Sequence, residues 1–204
     1  MTASAFVAAA RARLHAVPRR AGYDGHGDFA ITGLAMLPEQ VERLIAAAVL
    51  IAIRQDTCAV IFTKRSKHLS KHPGQIAFPG GRIDLNDDGP LAAAMREAEE
   101  EIGLSRENML PLGYLDEYFT GTGFRVTPVI ALITETPNLV ANPHEVDEIF
   151  DVPLDFLMDR SNHRSHVIDV GGTSRRTLAI PYKDHHIWGV TAGIIRQLSE
   201  LVYP

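Results

Sequence analysis

The chain has 204 residues, 46% of them hydrophobic and 22% charged, with a formal net charge of -5 and one cysteine, Cys58. This composition describes one globular domain with modest extensions and excludes a disordered, collagen-like or disulfide-dense protein. The acidic balance argues against a nucleic-acid binder, whose phosphate contacts would show as a surplus of Lys and Arg.

No internal disulfide is available, so the chain suits a reducing compartment and is assigned to the cytoplasm. No apolar run approaches the roughly 20 residues of a membrane helix, so no membrane partner is expected. Arg11 and Arg13 interrupt what would be the apolar region of a secretory signal. Met1 to Tyr23, with four Arg and no acidic residue, superficially suits a transit peptide, but an amphipathic helix explains it better. Phe6, Ala10, Leu14 and Val17 recur at helical spacing until Pro18 stops them.

Ala21 to Met36 lacks periodicity and reads as a loop wrapped on the domain. Residues 1–36 are therefore an N-terminal helix and extension packed on a main domain that spans 37–204. Pro38 opens a short helix. Ala46 to Ile53 and Ala59 to Thr63 form a β-hairpin across Gln55-Asp56-Thr57, and a Gly- and Pro-rich passage, Pro73 to Gly81, follows. Pro90 to Ile102 is a helix with Pro in its first turn and Gly103 as its left-handed cap. Leu112 to Tyr118 and Val126 to Thr134 read as strands, and Val152 to Met158 as a short helix introduced by Pro153. His166 to Val170 and Thr177 to Tyr182 make a second hairpin across Gly171-Gly172, and an amphipathic helix, roughly Gly189 to Val202, closes the chain. The fold class is α/β, with a sheet that is largely mixed or antiparallel.

The chemistry concentrates in Arg96-Glu97-Ala98-Glu99-Glu100-Glu101-Ile102-Gly103-Leu104. On a helix, Glu97 lies within one turn of both Glu100 and Glu101, so three carboxylates converge on one patch. They repel one another, and the negative end of the helix dipole opposes them too. An arbitrary acidic run is ordinarily a solvated helix face. Here, however, a basic stretch (Lys64, Arg65, Lys67, His68, Lys71, His72), the Gly80-Gly81 turn and an acidic loop (Asp84, Asp87, Asp88) precede it. Cations followed by clustered carboxylates suit a phosphate-bearing substrate with a bound hard divalent cation.

The segment Gly81 to Leu104 resembles the Nudix box. Arg96, Glu97, Ala98, Glu100, Glu101, Gly103 and Leu104 satisfy its second half. Arg96 follows Gly81 by 15 positions, one more than the general pattern, and Asp88 stands at the first Glu position. The lengthening is similar to the coenzyme A pyrophosphatase-like branch. That branch's upstream signature is approached by Ile61-Phe62-Thr63-Lys64-Arg65-Ser66, Gly74 and Phe78-Pro79-Gly80-Gly81, with Ser70 in place of its second Arg and Lys71 beside it. Ile187 to Ala192 is similar to the start of the branch's C-terminal helix.

The resemblance implies a Nudix-type α/β/α sandwich with a mixed sheet and a Mg2+- or Mn2+-dependent hydrolase. Its substrate would be coenzyme A or a derivative, cleaved to 4′-phosphopantetheine and adenosine 3′,5′-bisphosphate. It implies Glu97, Glu100 and Glu101 as metal ligands, with Glu100 as ligand or as base toward water. Arg96 would orient the loop carboxylates through an ion pair with Asp88. Glu145 and Glu148 stand where the family often places a further catalytic carboxylate, and Glu148 is the one selected. Arg65, Lys71, Phe78, Gly80 and Gly81 line the substrate site, with packing as the competing role for Phe78. The alternatives are another nucleoside diphosphate derivative, such as a nucleotide sugar, a dinucleotide or a nucleoside triphosphate, and a non-catalytic nucleotide-binding module. A monomer and a homodimer both stay open. His163, His166, His185 and His186 fit no metal-ligand pattern and read as surface residues, and Trp188 reads as core.

Overall fold

The computed structural model describes residues 2–19, 27, 38–170 and 172–202. The expected loop from Ala21 to Met36 lies outside these residues except at Gly27. In chain order the elements are α1 (Ala3–Arg13), α2 (Pro38–Glu42), β1 (Ile45–Arg54), β2 (Ala59–Arg65), β3 (Ile76–Ala77), β4 (Gly80–Arg82), α3 (Gly89–Ile102), β5 (Met109–Tyr114), β6 (Tyr118–Phe119), β7 (Phe124–Ile133), β8 (Val146–Pro153), α4 (Leu154–Met158), β9 (Arg164–Val170), β10 (Thr173–Tyr182), β11 (His185–Trp188) and α5 (Val190–Val202).

β1 is the spine. Ala47, Ile51 and Ile53 enter one core, and Ala48, Leu50 and Ala52 enter the other. Both faces of the strand are covered, which is why its sequence is apolar throughout instead of alternating. β7 runs parallel to β1 along its whole length, while β5 and β6 pair antiparallel with β7. The β1–β2 hairpin forms as expected but keeps register only at Ile53↔Val60. Beyond that point the strands splay, and the Gly- and Pro-rich passage fills the gap. β3 pairs with β2 (Thr63↔Ala77), and β4 pairs with β1 (Ala48↔Gly81). This wedge carries Gly80 and Gly81 into the middle of the sheet.

α3 covers one face of the eight-stranded mixed sheet through Ala93, Ala94, Ala98 and Ile102. α1, α4 and α5 cover the other through Phe6, Ala10, Leu154, Leu157, Ile194 and Leu198. The result is the expected α/β/α sandwich. β9, β10 and β11 add a separate three-stranded antiparallel sheet. No helix among the described residues is long and apolar enough to cross a membrane.

Four expectations need correction. α1 ends at Arg13, because Leu14 turns extended and His15 exchanges two backbone hydrogen bonds with Tyr114 (3.0 and 2.9 Å). Val17, expected on the apolar face, is 69% exposed. β8 was not anticipated, and its strand runs through Val152 and Pro153 before α4 begins at Leu154. Asp147, Glu148 and Asp151 hide its apolar signal, and Arg54 compensates the last of them at 2.7 Å. The stretch read as one strand from Leu112 begins at Met109 and divides into β5 and β6. Trp188 is only half-buried, at the end of β11.

The N-terminal helix is bound in by its side chains. Phe6 is fully buried, and the Arg13 guanidinium donates to the Leu201 and Val202 carbonyls at the end of α5, both at 3.0 Å. Emptying a buried aromatic site removes both its transfer free energy and its packing contacts. Phe6→Ala is expected to cost about 3 to 5 kcal/mol in urea unfolding, and a loss below about 1 kcal/mol would show that α1 is not an integral part of the core.

Candidate active site

α3 brings the carboxylates together as the spacing predicted. Its C-terminus is capped by Gly103 in the left-handed conformation (φ 66), whose N–H donates to the Glu99 carbonyl. Glu101 lies on the buried face, 3% exposed, Glu97 is half-buried, and the Glu100 side chain is 54% exposed. Glu99 points away and pairs with Arg106. Gly81 lies directly against the Glu97 carboxylate. Any Cβ at Gly81 would overlap the Glu97 oxygens, and one at Gly80 would strike the β1 backbone at Ala48. The Gly80 backbone N–H donates to Glu101. The two glycines therefore permit the helix and strand to approach closely enough to hold these acids.

Arg96 organises the group. Its Nε and Nη2 donate to the two oxygens of Asp87 at 3.0 and 2.9 Å, and Nη1 donates to Glu97 Oε1 at 3.0 Å and Glu100 Oε2 at 3.2 Å. Nη2 also reaches the Arg82 carbonyl at 3.1 Å. The bidentate fork fixes the guanidinium plane, and its hydrogen bonds hold the Asp87 carboxyl below the usual carboxylate range. The expected partner was Asp88. That residue instead occupies the N-cap position of α3, without a side-chain capping bond, and the extra loop residue leaves Asp87 facing Arg96. Asp87 also accepts from the Asp84 N–H at 2.8 Å, which tightens the loop.

Burial pushes Glu101 up to about 8, against the opposing pull of Arg65 and with further upward pressure from Glu97 and Glu145. Burial likewise raises Glu97, which the Arg96 hydrogen bond partly offsets. Glu101 Oε2 is buried without a hydrogen-bond partner among the described residues. An orphaned carboxylate oxygen beside a second desolvated carboxylate is the donor chemistry a hard divalent cation satisfies. No group of three or more His, Cys, Asp or Glu side chains among the described residues is gathered to enclose a metal, and Arg96 holds Glu97 and Glu100. The donors fit a metal; the closed ligand shell is not formed.

Other expected site residues fall into two groups. Arg65 lies within electrostatic reach of Glu101, and Arg65, Lys71, Phe78, Gly80 and Gly81 all line a cavity of about 810 Å³ beside the carboxylates. The Phe78 ring is 3% exposed and stacks on Phe62 at 5.0 Å, so packing is its main work. Glu148 stands apart on β8, where its Oε1 is 2.9 Å from His185 Nε2 and its Oε2 is 3.9 Å from Lys64. The downstream carboxylate whose charge bears on Glu97 and Glu101 is Glu145. Asn142 positions its loop by donating from its backbone N–H to the Glu101 carbonyl (2.9 Å) and from Nδ2 to Glu145 Oε1 (3.4 Å).

Three features escaped the sequence reading. His185, read as a surface residue, stacks on Phe150 with ring centroids 3.7 Å apart. Arg82, Arg175 and Trp188 line the same cavity, although they come from β4, β10 and β11. No Asp or Glu is among the described residues that line it, in a chain whose net charge is -5. Only the charge asymmetry of the Lys64 to His72 stretch signalled this in one dimension.

The folded protein keeps Glu101 protonated up to about pH 8, whereas its ordinary value is 4.5. Proton uptake on folding means that metal-free stability falls as pH rises through this interval. In chelator, Glu101→Gln is expected to match wild type at about pH 5 and to be the more stable protein above about pH 8, read from urea midpoints. Parallel pH profiles for the two would show that Glu101 ionises normally.

Comparison with known proteins identifies the frame in which these side chains sit. The NUDIX domain family profile matches residues 43–169. A protein of Enterobacter sp. (strain 638), described as an uncharacterized Nudix hydrolase, NudL, is 37% identical over 164 residues, 80% of this chain and 85% of that one. Its counterpart in Escherichia coli (strain K12 / DH10B) is 40% identical over 156 residues, 75% and 80% of the respective chains. Among solved structures, DR0079 from Deinococcus radiodurans superposes with a TM-score of 0.50 at 13% identity, covering 74% of this chain and 81% of that one, a likeness of fold.

Proposed function

The chain belongs to the Nudix hydrolase family, and on that premise we propose that it hydrolyses the pyrophosphate of coenzyme A or its derivatives. Family membership makes it a hydrolase of pyrophosphate bonds in small nucleoside diphosphate derivatives, a class of enzyme that generally needs a divalent metal. The observation that carries the narrower reading is the meeting of the α3 carboxylates, at Gly80, Gly81 and Arg65, with a cavity that no Asp or Glu lines among the described residues. A polyanion with apolar parts fits such a cavity, and its phosphates would end beside the metal-binding acids.

Glu97, Glu100 and Glu101 would hold Mg2+ or Mn2+. When bound, that ion would neutralise the phosphate charge and lower the pKa of water. Arg65 and Lys71 bind the pyrophosphate oxygens from the cavity side. Both residues are exposed, but Lys71 lines the cavity and Ser70 does not, so the lysine supplies the cation that the upstream signature has at position 70. Arg96 fixes Glu97 and Glu100 without itself reaching substrate. Glu100, the most exposed of the three, accepts the proton of the attacking water. Water adds to one phosphorus, the bridging P–O bond breaks, and 4′-phosphopantetheine and adenosine 3′,5′-bisphosphate leave. We give the downstream carboxylate role to Glu145 and not to Glu148, which is engaged by His185. The lone, partly buried Cys58 fits an enzyme of the reducing cytoplasm.

Ser70 favours a second reading, in which the same site cleaves a nucleotide sugar, a dinucleotide or a nucleoside triphosphate. Incubation with Mg2+ and coenzyme A, dephospho-coenzyme A, ADP-ribose or NADH, followed by mass spectrometry, separates the two. Adenosine 3′,5′-bisphosphate is expected to form fastest from coenzyme A, and faster cleavage of ADP-ribose or NADH would transfer the assignment to the second reading. Glu100→Gln and Glu101→Gln are each expected to lower kcat by on the order of 100-fold or more while leaving the fold intact. Wild-type rates in both variants would remove α3 from the mechanism.

A further inference from the structure

The cavity has a second wall, supplied by the small sheet. Register places Arg175 opposite Ile168 and Ala179 opposite Trp188. Side chains alternate along a strand, so Arg175 and Ala179 share the face that carries Ile168 and Trp188. Arg176, the next residue, also borders the cavity but is paired on the other face of the strand, opposite Val167, which is 59% exposed. No carboxylate pairs with Arg175 among the described residues. Arg65 and Lys71 already serve the pyrophosphate near Gly80, while Arg175 arises from a different sheet and stands on the same face as an indole ring.

A flat aromatic surface and a guanidinium without a carboxylate partner, on the same sheet face and in the same cavity, suit a nucleobase that carries an extra phosphate. A neutral pantetheine or acyl arm would use the apolar wall but leave the guanidinium without a partner. The charge therefore selects the nucleotide half of the substrate for this side of the cavity. We propose that the three-stranded sheet is the subsite for that half. Trp188 stacks on the base, and Arg175 pairs with a phosphate ester remote from the scissile bond, which in coenzyme A is the 3′-phosphate. This assignment rests on the reading of coenzyme A as substrate.

The test is calorimetric titration of the full chain, in Mg2+ buffer, with adenosine 3′,5′-bisphosphate and with adenosine 5′-monophosphate. Wild type is expected to bind the bisphosphate about tenfold more tightly. Arg175→Ala is expected to abolish that preference and Arg164→Ala, an exposed arginine of β9 outside the cavity lining, to preserve it. Wild type without a preference, no measurable binding of either nucleotide, or equal losses in both variants would overturn the subsite. The titration needs no turnover. Selective, Arg175-dependent binding by an enzyme that leaves coenzyme A uncleaved would therefore defeat the substrate reading alone, whereas coenzyme A cleavage with an unaltered preference in Arg175→Ala would defeat the subsite alone.

Discussion

The acidic end of α3 is held together by one guanidinium. Arg96 stands between Asp87, Glu97 and Glu100 and also bonds to the Arg82 carbonyl, so it joins helix, acidic loop and β4 in a single network. Without such a cation, three carboxylates within one turn would repel one another at the wrong end of a helix dipole. The arrangement is compensated but not satisfied, because Glu101 keeps a buried oxygen with no partner among the described residues. A site tuned in this way has residual affinity for positive charge, which is the property a metal-dependent phosphohydrolase needs.

The sheet explains why that network lies next to the cavity. Had β1 and β2 stayed paired along their length, the Gly- and Pro-rich passage would have been a surface loop. Their divergence after Ile53↔Val60 admits β3 and β4, and only glycine at positions 80 and 81 lets this insert lie between β1 and α3. Gly81 then touches the Glu97 carboxylate while β4 also lines the cavity. Scaffold and chemistry are thus joined at two residues that carry no side chain.

Much of the fold was legible because local signals agreed with the final packing. The start of α3 at Gly89, one residue before the expected Pro90, its Gly103 cap and the turn after β1 each have a local cause. The α3 cluster was legible for the same reason, since helical spacing alone brings Glu97, Glu100 and Glu101 together. Features that depend on distant partners were not. Asp87 and Asp88 are both loop acids in one dimension, and only the path of the longer loop decides which meets Arg96. β8 carries acids that Arg54, Lys64 and His185 answer from β1, β2 and β11. The place of Trp188 beside the cavity follows from the return of a three-stranded sheet that propensity alone could not locate.

The parallel pairing of β1 with β7 also shapes how the protein is made. Its register joins residues roughly eighty positions apart, beginning at Ile45↔Phe124. Such a contact carries a high loop-closure cost and forms late compared with local turns. A ribosome would therefore release the whole of α3 before the central strand of its sheet had its parallel partner. The cavity waits longer still, for β10, β11 and α5. A nascent chain thus holds the clustered acids of α3 well before β10, β11 and α5 complete the cavity beside them.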